Sequence, residues 1–217
     1  MNCCRYTRLH RASPVLVCLL FSAAILGLLP VPQALALGDH TRDGWLIGVG
    51  YGYGRGAFTT PSEDRYDFKD GATPQIRFGH MLGRHTSLNL EYSAWMYETG
   101  TAETKYRSSL QNLLLAFTWY PGEADNALGG LYVRGATGLA WASLADVDLV
   151  DESGHPHTVR KDEAGLGLQM SLGYEFRVTH NAAAGLATGV NWMLIDGDIY
   201  DKAAFVPVAL SLTLYWD

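Results

Sequence analysis

From Trp45 onward the chain alternates. Trp45, Ile47, Val49, Tyr51 and Tyr53 are bulky and apolar, and from Gly48 the residues between them are glycines. A helix would spread this pattern around its circumference, whereas a β-strand sorts it into one apolar face and one nearly bare face. Glycine is a poor choice for an ordinary strand interior. In a narrow closed barrel it has a use, because small inward residues leave room for larger side chains from other strands.

The same period of two recurs over about eight segments, read as roughly 44–58, 73–83, 86–98, 108–120, 129–143, 164–177, 182–195 and 203–216. In the sixth, Leu166, Leu168, Met170, Leu172, Tyr174 and Phe176 oppose Gly165, Gly167, Gln169, Ser171, Gly173 and Glu175. In the eighth, Val206, Val208, Leu210, Leu212, Leu214 and Trp216 oppose Phe205, Pro207, Ala209, Ser211, Thr213 and Tyr215. The third sets Leu88, Leu90 and Tyr92 against Asn89, Glu91 and Ser93; the second sets Ile76 and Phe78 against Gln75, Arg77 and Gly79; the fifth sets Leu131, Val133 and Leu139 against Tyr132, Arg134 and Ala136. If the apolar side lined a soluble core, the other side would meet water and be rich in Lys, Glu and Asp. It is mostly Gly, Ala, Ser, Asn and Gln, which suits a narrow polar lumen with lipid outside. Each segment reaches the roughly ten residues that a tilted strand needs to cross a bilayer. The expected fold is all-β: an eight-stranded antiparallel up-and-down transmembrane barrel.

The connections read as alternately long and short, with 59–72, 99–107, 144–163 and 196–202 long or polar. Long outer loops and short inner turns then put both termini in the periplasm. Aromatic residues near strand ends, Trp45, Trp119, Tyr120, Trp141, Tyr174, Phe176, Trp192, Tyr215 and Trp216, read as interfacial girdles.

The first 36 residues follow a different plan. Arg5, Arg8 and Arg11 precede the apolar run Val15 to Leu29, and Ala34-Leu35-Ala36 is a small-residue cleavage pattern. Residues 1–36 are therefore expected to be a cleaved export signal and 37–217 the barrel. All three cysteines (Cys3, Cys4, Cys18) lie in the signal, so disulfide and thiol chemistry is not expected of the mature chain. Cleavage changes the formal charge from −6 to −9, with 13 Lys and Arg against 22 Asp and Glu. That acidity argues against nucleic acid as a partner.

The Gly-x-Gly-rich first segment and the last, Val206 to Trp216, with its near-terminal aromatic, resemble the small outer-membrane β-barrel superfamily, the OmpA/OmpX-like and opacity-porin-like group. Asn112 to Pro121 and Leu131 to Ala140 are similar to its single-domain members. Asp217 after Trp216 departs from the usual terminal aromatic. The resemblance implies an exported protein of a Gram-negative-type outer membrane, in contact with lipopolysaccharide and the outer-membrane assembly machinery, and the group includes adhesins, structural proteins and enzymes. A monomer is expected.

Candidate chemistry is sparse. Arg77, Glu91, Arg134 and Glu175 share the inward side and should pair, because an unpaired buried charge is expensive. With Gln75, Asn89, Asn112, Gln169 and Asn191 they form either a polar plug or a narrow gated path for small solutes, and the filled interior of an eight-stranded barrel favours the plug. His80 and His85 are the only strand-associated histidines, and neither stands beside a serine in a deacylase-like motif. No enzyme activity, cofactor or metal is expected. The loops are acidic: Glu63, Asp64, Asp67 and Asp70; Asp146, Asp148, Asp151, Glu152, Asp162 and Glu163; Asp196, Asp198 and Asp201. Hard divalent cations would suit such carboxylates, and His155 and His157 flank Pro156, but no spacing fixes a complete ligand set. A structural or surface-interaction barrel is the leading reading, with a small-solute pore second and a lipid-modifying enzyme third.

Overall fold

The computed structural model describes residues 42–60, 63–100, 105–122, 128–150, 156–195, 197 and 202–217, apart from the side chains of 60, 63–67, 99–100, 105–106, 145–150 and 156–160. The expected signal segment lies outside the described residues.

Eight strands follow one another: β1 Trp45–Thr60, β2 Glu63–Gly83, β3 Thr86–Gly100, β4 Lys105–Trp119, β5 Leu131–Val150, β6 Pro156–Arg177, β7 Ala182–Ile195 and β8 Lys202–Trp216. Each pairs antiparallel with its sequence neighbours, and β1 also pairs with β8, closing the sheet into a barrel. Trp45 sits opposite both His80 and Trp216. Closure leaves no edge strand among the described residues, so the strands pair within the sheet on both sides, as hydrocarbon surroundings require.

The period-two pattern sorts as the sequence indicates. Val49, Tyr51, Ile76, Phe78, Leu90, Leu115, Leu139, Met170, Val208, Leu210 and Leu212 all point outward and are exposed, Leu210 at 69%. Asn89, Glu91, Arg134, Gln169, Glu175 and Thr213 point inward and are buried. An aqueous solvent would not tolerate so broad an apolar belt on a monomer. The belt ends at polar pairs on the side away from the termini: Arg55 with Asp70 at 2.8 Å across β1 and β2, and Arg107 with Glu98 at 3.4 Å across β3 and β4.

The glycines of β1 are spacers for specific neighbours. A Cβ on Gly48 would lie 2.5 Å from Nε of Arg77, one on Gly50 would lie 2.6 Å from Cγ of Gln75, and one on Gly56 would strike the Trp95 ring at 2.6 Å. Their absence lets these large side chains lie flat across the lumen.

Two sequence expectations change. Segments 59–72 and 144–163 read as loops, yet β2 begins at Glu63 and β5 and β6 continue to Val150 and from Pro156. Lipid-facing periodicity marks only the part of a strand inside the membrane. Beyond it the ladder continues through stretches where charged residues interrupt the apolar ones, because backbone pairing needs no apolar face. The asymmetry between the two ends therefore lies in strand length more than in loop length. Tyr120 and Tyr215, grouped above with the girdle aromatics, are buried inside the barrel. Trp45, Phe78 and Trp216 do cluster on the outer face near the termini, with ring centroids 5.3 and 6.3 Å apart.

Candidate functional site

The interior is layered. Toward the end away from the termini, Trp95, Leu110, Met193, Ile195 and Phe205 pack with Ala140, Ala142 and Ala203. Trp95 is fully buried and donates its indole N–H to the Gly54 carbonyl at 3.1 Å. Toward the termini a second cluster combines Leu46, Met81, Tyr120, Tyr132, Ala183 and Tyr215. Between them lies the polar layer.

All four predicted lumen residues are in that layer, in two groups. Arg134, from β5, places Nη1 3.0 Å from Oε2 of Glu91 on β3 and donates Nε–H to the Thr118 hydroxyl at 3.1 Å. Gln169 donates to the other oxygen of Glu91 at 2.9 Å. Arg77, from β2, crosses the lumen to Glu175 on β6, with Nη2 to Oε1 at 2.6 Å, and also donates to the Thr213 hydroxyl. The second oxygen of Glu175 accepts from the hydroxyls of Tyr215 at 2.7 Å and Tyr120 at 3.4 Å. Tyr132 stands between the groups, its ring centroid 4.9 Å from the Arg134 guanidinium and 6.0 Å from that of Arg77. Asn112 donates to Asn191 at 3.3 Å, and Asn89 to Thr118 at 3.1 Å. Gln75 flanks a small cavity beside Arg77, lined also by Gly48, Gly50, Ala187 and Ser211.

Two charged residues escaped the sequence reading, Arg42 and Arg177, the latter with its guanidinium 4.4 Å from the Tyr215 ring centroid. Arg42 precedes β1, outside any periodic segment. It is only 4% exposed, 3.9 Å from Glu175, with its guanidinium 4.0 Å from the Tyr120 ring centroid and a hydrogen bond to the Gly129 carbonyl. The only available sequence signal was an arginine two residues ahead of a glycine at the start of the barrel.

No family model matches the chain, and no curated protein sequence does. Solved structures do match. Ail, the attachment invasion locus protein of Yersinia pestis, crystallised with the heparin analogue sucrose octasulfate, superposes with a TM-score of 0.56 at 8% identity, over 79% of this chain and 99% of that one. Neisserial surface protein A gives a TM-score of 0.54 at 10% identity, over 80% of this chain and 97% of that one. At these identities the likeness concerns architecture, and it agrees with the closed eight-stranded ladder and its apolar exterior. The fold is that of a small outer-membrane β-barrel.

Elsewhere on this barrel the other candidates stay apart. His80 stacks edge-on against Trp45 on the outer face, with centroids 4.9 Å apart, and His85 approaches the Tyr120 carbonyl at 3.0 Å in the β2–β3 turn. Ser93 is buried inside the barrel. Among the described residues no three His, Cys, Asp or Glu converge as a metal site. Asp70 is held by Arg55, and Asp162 accepts from the Ser143 hydroxyl. The side chains of Glu63, Asp64, Asp67, Asp146, Asp148, His157, and all of Asp151, Glu152, His155, Asp196, Asp198 and Asp201, lie outside the described residues.

Proposed function

We propose that this chain is a non-enzymatic surface-interaction barrel of the outer membrane of a Gram-negative-type bacterium, with its lumen closed by its own side chains. The filled cross-section supports this reading most strongly. The Trp95–Phe205 layer, the two arginine–carboxylate groups and the tyrosine layer succeed one another along the lumen. An eight-stranded barrel has an interior about wide enough for its own side chains and little more. Both termini face the periplasm, the extended far ends of β2, β5 and β6 stand outside the cell, and lipopolysaccharide surrounds the outer half of the belt. Export uses a signal cleaved after Ala36, insertion depends on the outer-membrane assembly machinery, and the barrel works as a monomer.

The external partner is cationic or neutral rather than polyanionic. The far-end segments 144–163 and 196–202 carry nine acidic residues against three Lys and Arg. A sulfated ligand such as the one bound to Ail meets repulsion there, whereas divalent cations or basic groups meet attraction. Planar-bilayer recording tests closure. The expected result is an absence of discrete openings; stable single-channel steps from the purified protein would overturn it.

A narrow solute path is the second reading. It is favoured by one observation: buried Arg77 Nε and the hydroxyls of Thr73, Ser93, Ser171 and Ser211 lack a protein hydrogen-bond partner, and Arg77 and Ser211 adjoin the small cavity. These groups suit a short chain of waters within the polar layer. The same bilayer recording separates the two. Lipid A mass spectra with and without the protein test the absence of lipid chemistry, and a new species would contradict it.

A further inference from the structure

The lumen charges do not balance. Among the described residues, Arg42, Arg77, Arg134 and, at the mouth, Arg177, whose guanidinium lies 4.4 Å from the Tyr215 ring centroid, face only Glu91 and Glu175. Arg134 with Glu91 and Arg77 with Glu175 are each paired at hydrogen-bond distance. Arg42 and Arg177 are the surplus cations, and of the two Arg42 lies against Glu175. Arg42 stands 3.9 Å from a carboxylate already held by Arg77 and two tyrosine hydroxyls, and its Nε and Nη1 lack a protein hydrogen-bond partner. Its withdrawal would leave Glu175 paired with Arg77.

The chain is built to put it there. Gly44 has a φ of +67°, and a Cβ on it would lie 2.2 Å from the Trp216 carbonyl oxygen. Only glycine accepts both the left-handed backbone and the close approach. The Gly44 carbonyl accepts from the Met81 amide at 2.8 Å, fixing the corner on β2. The turn at Gly44 sends the preceding residues across the barrel mouth instead of continuing them along β1. Arg42 enters a site made by the β4–β5 connection, the end of β4 and β6: the Gly129 carbonyl, the Tyr120 ring face and the Glu175 carboxylate. A carbonyl and a carboxylate in reach of N–H donors, beside an aromatic face, is the chemistry that recognises a planar guanidinium.

We propose that the terminal-end mouth of the barrel is a guanidinium-binding socket, with Arg42 of this chain as its removable occupant, and that it accepts the guanidinium of another molecule when Arg42 is withdrawn. The ligand class is an arginine side chain of a basic peptide or a small alkylguanidine. The inference deepens the closed-barrel reading at this end alone, since the Trp95 layer near the other end does not depend on it.

Chemical rescue tests it. Ala183 is fully buried in the tyrosine layer at this mouth. In the full chain with Cys3, Cys4 and Cys18 replaced by alanine, Ala183→Cys supplies one thiol. Its labelling by a membrane-impermeant maleimide in refolded, heat-modifiable barrel reports access to the mouth. Arg42→Ala is expected to raise the rate at least tenfold, and so is Gly44→Ala. Millimolar agmatine should restore slow labelling in Arg42→Ala at constant ionic strength, while equimolar putrescine, which has two ammonium groups and no guanidinium, should not. An unchanged rate in Arg42→Ala would overturn the latch. Equal protection by both amines, or by neither, would overturn the socket. Bilayer conductance of the parent chain is recorded alongside, so that an open lumen is recognised as failure of the closed-barrel reading and not of the socket.

Discussion

Glu91→Leu probes the polar layer most sharply. Glu91 is completely buried, and among the described residues its carboxylate is the one within ion-pair distance of Arg134, which is itself 2% exposed. Arg77 lies directly opposite Glu91 in the β2–β3 register but is committed to Glu175. Loss of the Glu91 carboxylate therefore strands the Arg134 guanidinium with one hydroxyl partner and the Tyr132 ring. Breaking a buried ion pair from one side costs about 3–5 kcal/mol. Gln169 also loses its acceptor, a further penalty of roughly 1–3 kcal/mol if it stays buried and unpaired. The double replacement Glu91→Leu with Arg134→Met removes both charges and should recover at least half of the loss, because an apolar pair of similar volume is often as stable as the ions it replaces. The assay is urea-dependent folding into phospholipid vesicles, with the folded fraction read from the heat-modifiable gel shift. A single-mutant cost under about 1 kcal/mol, or a double mutant no better than the single, would refute the pairing of these residues in a dry interior.

Other outcomes follow from the same packing. Trp95→Ala removes the largest side chain of the outer apolar layer and should cost about 3–5 kcal/mol by equilibrium unfolding, with increased water permeability of proteoliposomes by stopped-flow scattering. Gly48→Leu forces a side chain into the space occupied by Arg77, and overpacking predicts a loss of roughly 1–3 kcal/mol in the same vesicle assay. Leu210→Lys should destabilise the vesicle-inserted barrel by about 2–4 kcal/mol, the cost of a cation facing mid-bilayer. A soluble barrel with that residue exposed to water would show almost no change.

Period two carried nearly all of the fold, because one alternation fixes both strand identity and facing. Leu166 to Phe176 against Gly165 to Glu175 is sufficient to place Glu175 in the lumen. Its partners were not legible. Register sets Arg77 beside Glu91 on the neighbouring strand, yet Arg77 spans the barrel to Glu175. A long side chain in a narrow lumen reaches across more readily than alternation along one strand can reveal, and Gly48 clears its path. Tyr120 read as a girdle residue because it ends an apolar strand beside Pro121, but one position past Trp119 the facing reverses. Arg42 had no periodic context at all. Its placement depends on the backbone turn at Gly44, which alternation does not encode. The far ends of β2, β5 and β6 were hidden for the complementary reason: charged residues such as Asp146 and Asp148 interrupt their apolar positions, so hydrogen-bond pairing defines them.

The outward face of the barrel is held to meet hydrocarbon, and tryptophan fluorescence in vesicles of acyl-chain-brominated phospholipid measures that contact. Trp45, Trp119, Trp192 and Trp216 are exposed on the outer face, Trp141 is half-buried, and Trp95 is enclosed. The native chain should lose most of its emission in brominated lipid, while a variant retaining Trp95 alone, with the other five changed to Phe, should keep most of its own. Strong quenching of the Trp95-only variant together with largely retained emission from the native chain would mean that the faces are reversed.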